Sequence, residues 1–424
     1  MNVYRYLHKI QIVYFLFFVV VISHVTISCK SKQESFENKT INVIFKDSES
    51  FIFSNFFEQI EFIPLETNEY NLFRKITDVN IVDDKLFVFS EAPDNMVNIF
   101  DSGGNHLETI SNTGRGPGEL NYATSFSVDS SIMILDRSNR KILKFGFDGK
   151  FTSEIYLNNL FFTRFATINN NNIVLFDYKP LKLEKGNSNL PKSKLTFWNY
   201  NDDKIKQIAY APDLNSGKDI PIILKNFFSI SNNDLYYWDV FNDTINKVDL
   251  KSYQTIAFQI LNFGESKIPK HIFDNNFNTK INPKNLKQIV SKGYASLFDY
   301  FYCKNGTQLF VINRHNKMYI GILKDNENNL LTFNKISLDN LHESLDIKIN
   351  FQNIYITHYD DQSAFYFGWE AMDFMKTFQK LKSQITPIEW KLMLDSNHSL
   401  MKALEKAKID DNPILMKARI IQTK

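Results

Sequence analysis

Asp83-Asp84-Lys85-Leu86-Phe87-Val88-Phe89-Ser90 decides the fold: an acidic turn pair runs straight into an apolar, β-favouring segment. The same unit recurs along the chain. Ser130-Ser131 leads into Ile132–Asp136, 169–172 into Ile173–Asp177, and 232–234 into Leu235–Asp239. Asn305-Gly306 precedes Leu309–Asn313, and Asp360-Asp361 precedes Ala364–Gly368. Turn clusters between β-rich runs are the signature of hairpins. A second series of turns lies one strand further on, at Asp101-Ser-Gly-Gly104, Asp148-Gly149, Asn201-Asp-Asp203, Asp249-Leu-Lys251 and Asp325-Asn326. From Asp101 through Asp148, Asp202, Asp249 and Asp325 the intervals are 47, 54, 47 and 76 residues. The longer ones hold a polar extension at 179–193 and an insertion near 264–294 whose 283–290 stretch is helical in character. Without them the period is that of a four-stranded propeller blade. Six second strands therefore predict an all-β, six-bladed β-propeller.

Such a ring must close. After Gly368 the pattern gives way to a helical stretch across 371–408, divided by Pro387, and a last strand candidate spans 413–420. Phe57–Leu65 alternates like a strand but precedes the first full repeat. It is expected to pair with 413–420 in the last blade and so leave no open edge. The 424 residues, which by length alone suggest two or three domains, are then one propeller domain over 41–424. The composition suits it: 39 Phe and 19 Tyr to fill wedges between blades, and abundant Asn to make turns.

The N-terminus reads as an address. Arg5 and Lys9 precede an uncharged apolar run, Ile10–Ile22, that is short for a membrane span. Thr26-Ile27-Ser28-Cys29 resembles a bacterial lipobox. By that resemblance 1–28 is a lipoprotein signal peptide, Cys29 is lipidated and holds the chain to a membrane, and 29–40 is a polar tether. Losing Arg5 and Lys9 lowers the 49 basic residues to 47, equal to the 47 acidic ones, so nothing marks a nucleic-acid partner. With Cys29 lipidated only Cys303 remains, which excludes an intrachain disulfide; its apolar surroundings mark it as a core residue.

Ile60–Glu66, Val97–Gly104, Gly114-Arg-Gly-Pro-Gly-Glu119, Phe126–Asp129 and Phe147–Lys150 together resemble the six-bladed β-propeller lipoproteins of Bacteroidetes, relatives of NHL-type propellers. Asp411-Asn412-Pro413 is similar to that family's entrance to the last strand. The resemblance implies an outer-membrane lipoprotein facing the periplasm or the cell surface. It brings no reaction and no catalytic residues.

Candidate site residues come from the loops expected on one face of the ring. In Gly114–Glu119, glycines and Pro117 shape a crossover that Arg115 and Glu119 either pin or open to an anionic or carbonyl group. Connections after the second strands begin with Glu91, Asp136-Arg137, Asp177, Asp239, Arg314-His315 and Trp369-Glu370. Each Asp also suits turn initiation. The ring formed by Arg115, Glu119, Arg137, Asp177, Asp239, Arg314, His315 and Trp369 is the expected site for a glycan or an envelope protein. Six His follow Cys29, none at ligand spacing, and there is no P-loop, nucleophile elbow or Cys cluster, so no metal and no cofactor is expected. The competing expectation is an NHL-like or glycan-cleaving enzyme using acidic residues and His315.

Overall fold

The computed structural model describes residues 39–157, 162–169, 171–176, 195–201, 204–209, 228–231, 234–238, 243–253, 255–269, 283–303, 305–324, 326–341, 347–359 and 364–421. The signal peptide, Cys29 and most of the tether lie outside them, as do Asp177 and Asp239.

Three strands open the described chain: β1 (Lys39–Lys46), β2 (Phe51–Ile52) and β3 (Phe57–Pro64). Antiparallel four-stranded runs follow. The first is β4 (Asp78–Val82), β5 (Lys85–Ser90), β6 (Met96–Asp101) and β7 (His106–Ile110). The second is β8 (Ala123–Val128), β9 (Ile132–Asp136), β10 (Lys141–Phe145) and β11 (Phe151–Tyr156). The third is β12 (Arg164–Asn169), β13 (Asn172–Phe176), β14 (Leu195–Asn199) and β15 (Lys204–Ala209). Then come β16 (Phe228–Ser231), β17 (Asp234–Trp238), β18 (Thr244–Asp249) and β19 (Thr255–Asn262). Helix α1 (Pro283–Lys292) separates these from β20 (Ala295–Tyr302), β21 (Gln308–Arg314), β22 (Lys317–Leu323) and β23 (Asn329–Phe333). A small sheet joins β2 to β24 (Lys335–Ser337) and β25 (Lys348–Asn350). The chain ends with β26 (Ile354–Tyr359), β27 (Ala364–Trp369), helices α2 (Ala371–Gln384), α3 (Pro387–Ser396) and α4 (His398–Lys406), and β28 (Ile414–Ile420).

Burial grades across each sheet. In β5 every residue from Leu86 to Ser90 is buried, because neighbouring sheets cover both faces, whereas in the outer strand β11 no residue is. Aromatic rings fill the spaces between the four-stranded runs: Phe89 stacks on Phe126 at 5.1 Å, Tyr236 on Tyr302 at 4.7 Å, and Phe301 meets Phe365 edge-on at 5.7 Å. The turns are those the acidic pairs demand. Asp83 and Asp84 both take positive φ, 51° and 58°, as a two-residue hairpin turn with the twist of its strands requires. Cys303 is fully buried, as expected of a core residue.

Strand β3 pairs antiparallel with β28, Ile63 opposite Leu415, as the fourth strand beside β26, β27 and β28. A buried asparagine fastens this seam. Asn412 Oδ1 accepts from the Phe73 amide at 3.0 Å, and its Nδ2 donates to the carbonyls of Glu66 and Asn71 at 3.1 and 3.2 Å. Helices α2–α4 occupy the connection between β27 and β28. Thr386 and Glu389 form a capping box around Pro387, which starts α3.

One element differs from expectation. Lys39 and Thr40, read as tether, already belong to β1, whose alternation of Ile41, Val43 and Phe45 lies outside the repeat. Its first half pairs in parallel with β19 and its second half with β23, splinting two four-stranded runs into one nine-stranded sheet.

Candidate functional site

The second strands finish at one end of their sheets, here termed the upper end, where most of the residues picked from sequence lie; Arg115 and Glu119 belong to the β7–β8 connection. Most of these are consumed by architecture. Asp136 is fully buried: its carboxylate accepts from the amides of Asn121 (2.7 Å), Ser138 (3.1 Å) and Asn139 (3.1 Å), and from Asn139 Nδ2 (2.9 Å). It is a turn-maker. Arg137 beside it is exposed, and among the described residues only its backbone amide is engaged, by the Tyr122 carbonyl at 3.0 Å.

The Gly114–Glu119 loop is pinned on three sides. Glu119 accepts from the Gly116 amide at 2.8 Å, Asn139 donates to the Gly114 carbonyl at 3.3 Å, and buried Lys141 donates to the Gly116 carbonyl at 2.8 Å. Lys141 also pairs with Glu154 at 2.9 Å. Hydrogen bonds from Tyr156 and Lys141 hold the Glu154 carboxyl below its usual range. Because Lys141 and Glu154 belong to β10 and β11, the loop folds over the outer half of its sheet. Arg115 is exposed there, away from the first strands.

Arg314, His315 and Trp369 also face elsewhere. The Arg314 guanidinium pairs with Asp47 at 3.2 Å and lies over the Phe45 ring at 4.5 Å, so it secures β1. Tyr319 donates to the same carboxylate at 2.5 Å; burial and this bond push its phenol up to about 12. His315 sits in the β21–β22 turn at φ 51°, its ring covering Gly293 so closely that a Cβ there would overlap it. The expectation that Trp369 offers a ring to a ligand is corrected: it is fully buried beneath Phe374 and Phe378 of α2, at 5.3 and 5.9 Å.

The first strands hold what the loops do not. Residues of β4, β8, β12, β16 and β26 line one cavity of about 160 Å³, walled by Asn80, Thr124, Phe126, Arg164, Phe165 and Phe228 among others. Arg164 is buried at its upper edge, where it donates to the carbonyls of Thr124 and Thr163 and pairs with Glu91 at 3.1 Å. The Thr124 hydroxyl is buried without a partner, and the half-buried Asn80 amide has none among the described residues. Sequence reasoning passed over all three because it searched the loops. Thr163-Arg164 opening a first strand was the available signal, since a cation there must find a partner.

Beside this edge runs a second polar chain. The Ile76 amide donates to Tyr355 Oη at 3.1 Å, and Tyr355 donates to Glu370 Oε1 at 3.3 Å, with Lys75 over the Tyr355 ring at 5.1 Å. Burial raises both the Tyr355 phenol and the Glu370 carboxyl, the latter opposed by Tyr355 and Lys75. The next residue, Thr77, lines the cavity and accepts from the Glu91 amide at 3.0 Å. Among the described residues no three His, Cys, Asp or Glu side chains gather as a metal would require. Nor is any helix among them long and apolar enough to cross a membrane.

Antiparallel four-stranded runs with their first strands around a common cavity define a propeller-like, all-β protein. Residues 38–419 match a family described as "Domain of unknown function (DUF4934)", and the chain belongs to that family. Among solved structures it is similar to a Bacteroides fragilis protein described as a "Putative exported protein", with TM-score 0.65 and 16% identity over 90% of this chain and 100% of that one. More distant likenesses are a DUF4221 member from Bacteroides vulgatus (TM-score 0.48, 11% identity, 86% and 97% covered) and the WD40 repeats of RRP9 (0.41, 8%, 74% and 77%). Among curated proteins none matches the chain.

Proposed function

We propose that this chain is a cell-envelope lipoprotein, acylated at Cys29, whose four-stranded runs are the blades of a six-bladed propeller closed by β3 against β28. Its role is that of a binding module for a glycan or an envelope protein at the upper end, rather than an enzyme. One observation carries this reading: the charged groups bordering the cavity are engaged within the fold, Arg164 with Glu91 foremost, while the polar groups that have no partner among the described residues, the buried Thr124 hydroxyl and the half-buried Asn80 amide, are uncharged. Acid–base and nucleophilic chemistry need the reverse, a titratable group free to act. Asparagine and threonine beside aromatic rings suit recognition instead. Arg137, exposed beside the buried Asp136 at the upper end, is a cation within reach of a larger partner.

The test is a glycan array and an envelope pull-down with the full chain in detergent. Retention of a glycan or a protein, the glycan recovered intact, is the expected result. Recovery of a cleaved glycan, or retention of nothing in both arms, overturns it. Radiolabelled palmitate should enter the wild-type chain and not Cys29→Ala; label persisting in the variant overturns the anchor.

A further inference from the structure

The cavity between the first strands restricts what it can hold, by charge and by size. Arg164 is neutralised by Glu91, and Asp78 and His358 on the wall have partners of their own. A ligand carrying a full charge would be desolvated against wall groups that are already engaged within the fold, which costs several kcal/mol per ion, on the order given for buried charges. What remains is a neutral amide, with two donors and an acceptor, and a hydroxyl that can do either. Phe126, Phe165 and Phe228 provide apolar surface beside them. Phe126 is itself held by its stacking on Phe89, so that part of the wall is preformed. The volume of about 160 Å³ falls below the range of roughly 300–1,000 Å³ that drug-sized ligands occupy.

We propose that the cavity binds a single uncharged, hydroxyl-bearing ring, the terminal sugar of a glycan, entering end-on, with Asn80 as its principal hydrogen-bonding residue. A ring has apolar C–H faces for the phenylalanines and adjacent hydroxyls that donate and accept, which is the mixture Asn80 satisfies. Thr124, whose buried hydroxyl lacks a partner, gains one when its rotamer turns toward such a hydroxyl. Since only one ring fits, a chain is recognised by its end and not along its length. This inference rests on the binding reading above and specifies its ligand.

The experiment titrates free neutral hexoses and N-acetylhexosamines, and the matching uronic acids and hexosamines, into the full-length protein by calorimetry. An array presenting each sugar at terminal and internal positions runs in parallel. Neutral sugars should bind, and terminal display should be preferred. Asn80→Ala should weaken binding by about tenfold, the loss of roughly one good hydrogen bond. Ala166→Leu, which narrows the same cavity, should abolish it, and Lys150→Ala, in the exposed turn between β10 and β11, should leave it unchanged. Melting curves verify that each variant is folded, and Asn80→Ser serves if the alanine variant is not. Equal or tighter binding of the charged sugars overturns the inference, as does wild-type affinity in both cavity variants. Absence of sugar binding while the pull-down still captures an envelope protein overturns the inference alone and leaves the binding module standing.

Discussion

The upper loops and the cavity walls spend their polar groups in opposite ways. In the loops, Asp136, Glu119 and Arg314 bear charge, and each is bound to a turn, a crossover or a neighbouring strand. On the walls the buried Thr124 hydroxyl and the half-buried Asn80 amide bear none, and they have no partner among the described residues. The difference teaches that charge density on a surface loop is a poor guide to recognition where the loop needs those charges to hold its own backbone. A buried polar group left unsatisfied is costly, and it is the better pointer.

The comparison breaks first at Asp136. If its carboxylate is structural, Asp136→Ala strands several buried amides and should cost about 3 kcal/mol in denaturant unfolding. A loss below about 0.5 kcal/mol would mean that the loop does not depend on it. Next comes the Asp47–Tyr319 contact that secures β1. Tyr319→Phe should cost about 1 kcal/mol near pH 8, the worth of one hydrogen bond. The sign with pH follows from the phenol, raised from 10.0 to about 12 in the folded chain. Its contribution is whole below pH 10 and fades as pH rises through 12, so the two unfolding curves should converge across that window. A constant gap would show that the hydroxyl acts by packing alone.

The walls should behave otherwise. Thr124→Val removes a hydroxyl that has no partner and keeps the shape, so stability should stay level or rise by up to about 1 kcal/mol. A marked loss would show that the hydroxyl is already satisfied. Smallest of all, Arg115→Ala should shift unfolding by less than about 0.5 kcal/mol, since its side chain is exposed. A larger change would show that Arg115 helps to hold its loop, as Glu119 does.

Much of the fold was legible in the residues. Lys85–Ser90 and Ile132–Asp136 are strands with the limits their turn clusters imply, and Phe57–Pro64 does pair with the last strand. β1 was hidden because it belongs to no repeat, and nothing local says that Ile41–Phe45 will sit between strands more than two hundred residues away. The site was hidden for a different reason. Which side of a first strand faces the cavity depends on irregularities in register, between Ala123 and Ser125, Thr167 and Asn169, and Ile356 and His358. Each bulge reverses the alternation that a sequence reader counts on. Trp369 was misplaced because the helices that cover it arrive later in the chain, as an insertion whose docking site no periodicity specifies.

The splint formed by β1 also has a mechanical side. A force applied at the N-terminal end of β1 runs along the strand, and its hydrogen bonds to β19 and β23 lie across that direction. They are loaded together in shear and cannot be opened one at a time like a zip. The two halves of the strand grip different four-stranded runs, so tension entering at Lys39 is divided between them. Pulling on this strand should therefore be resisted by both runs together.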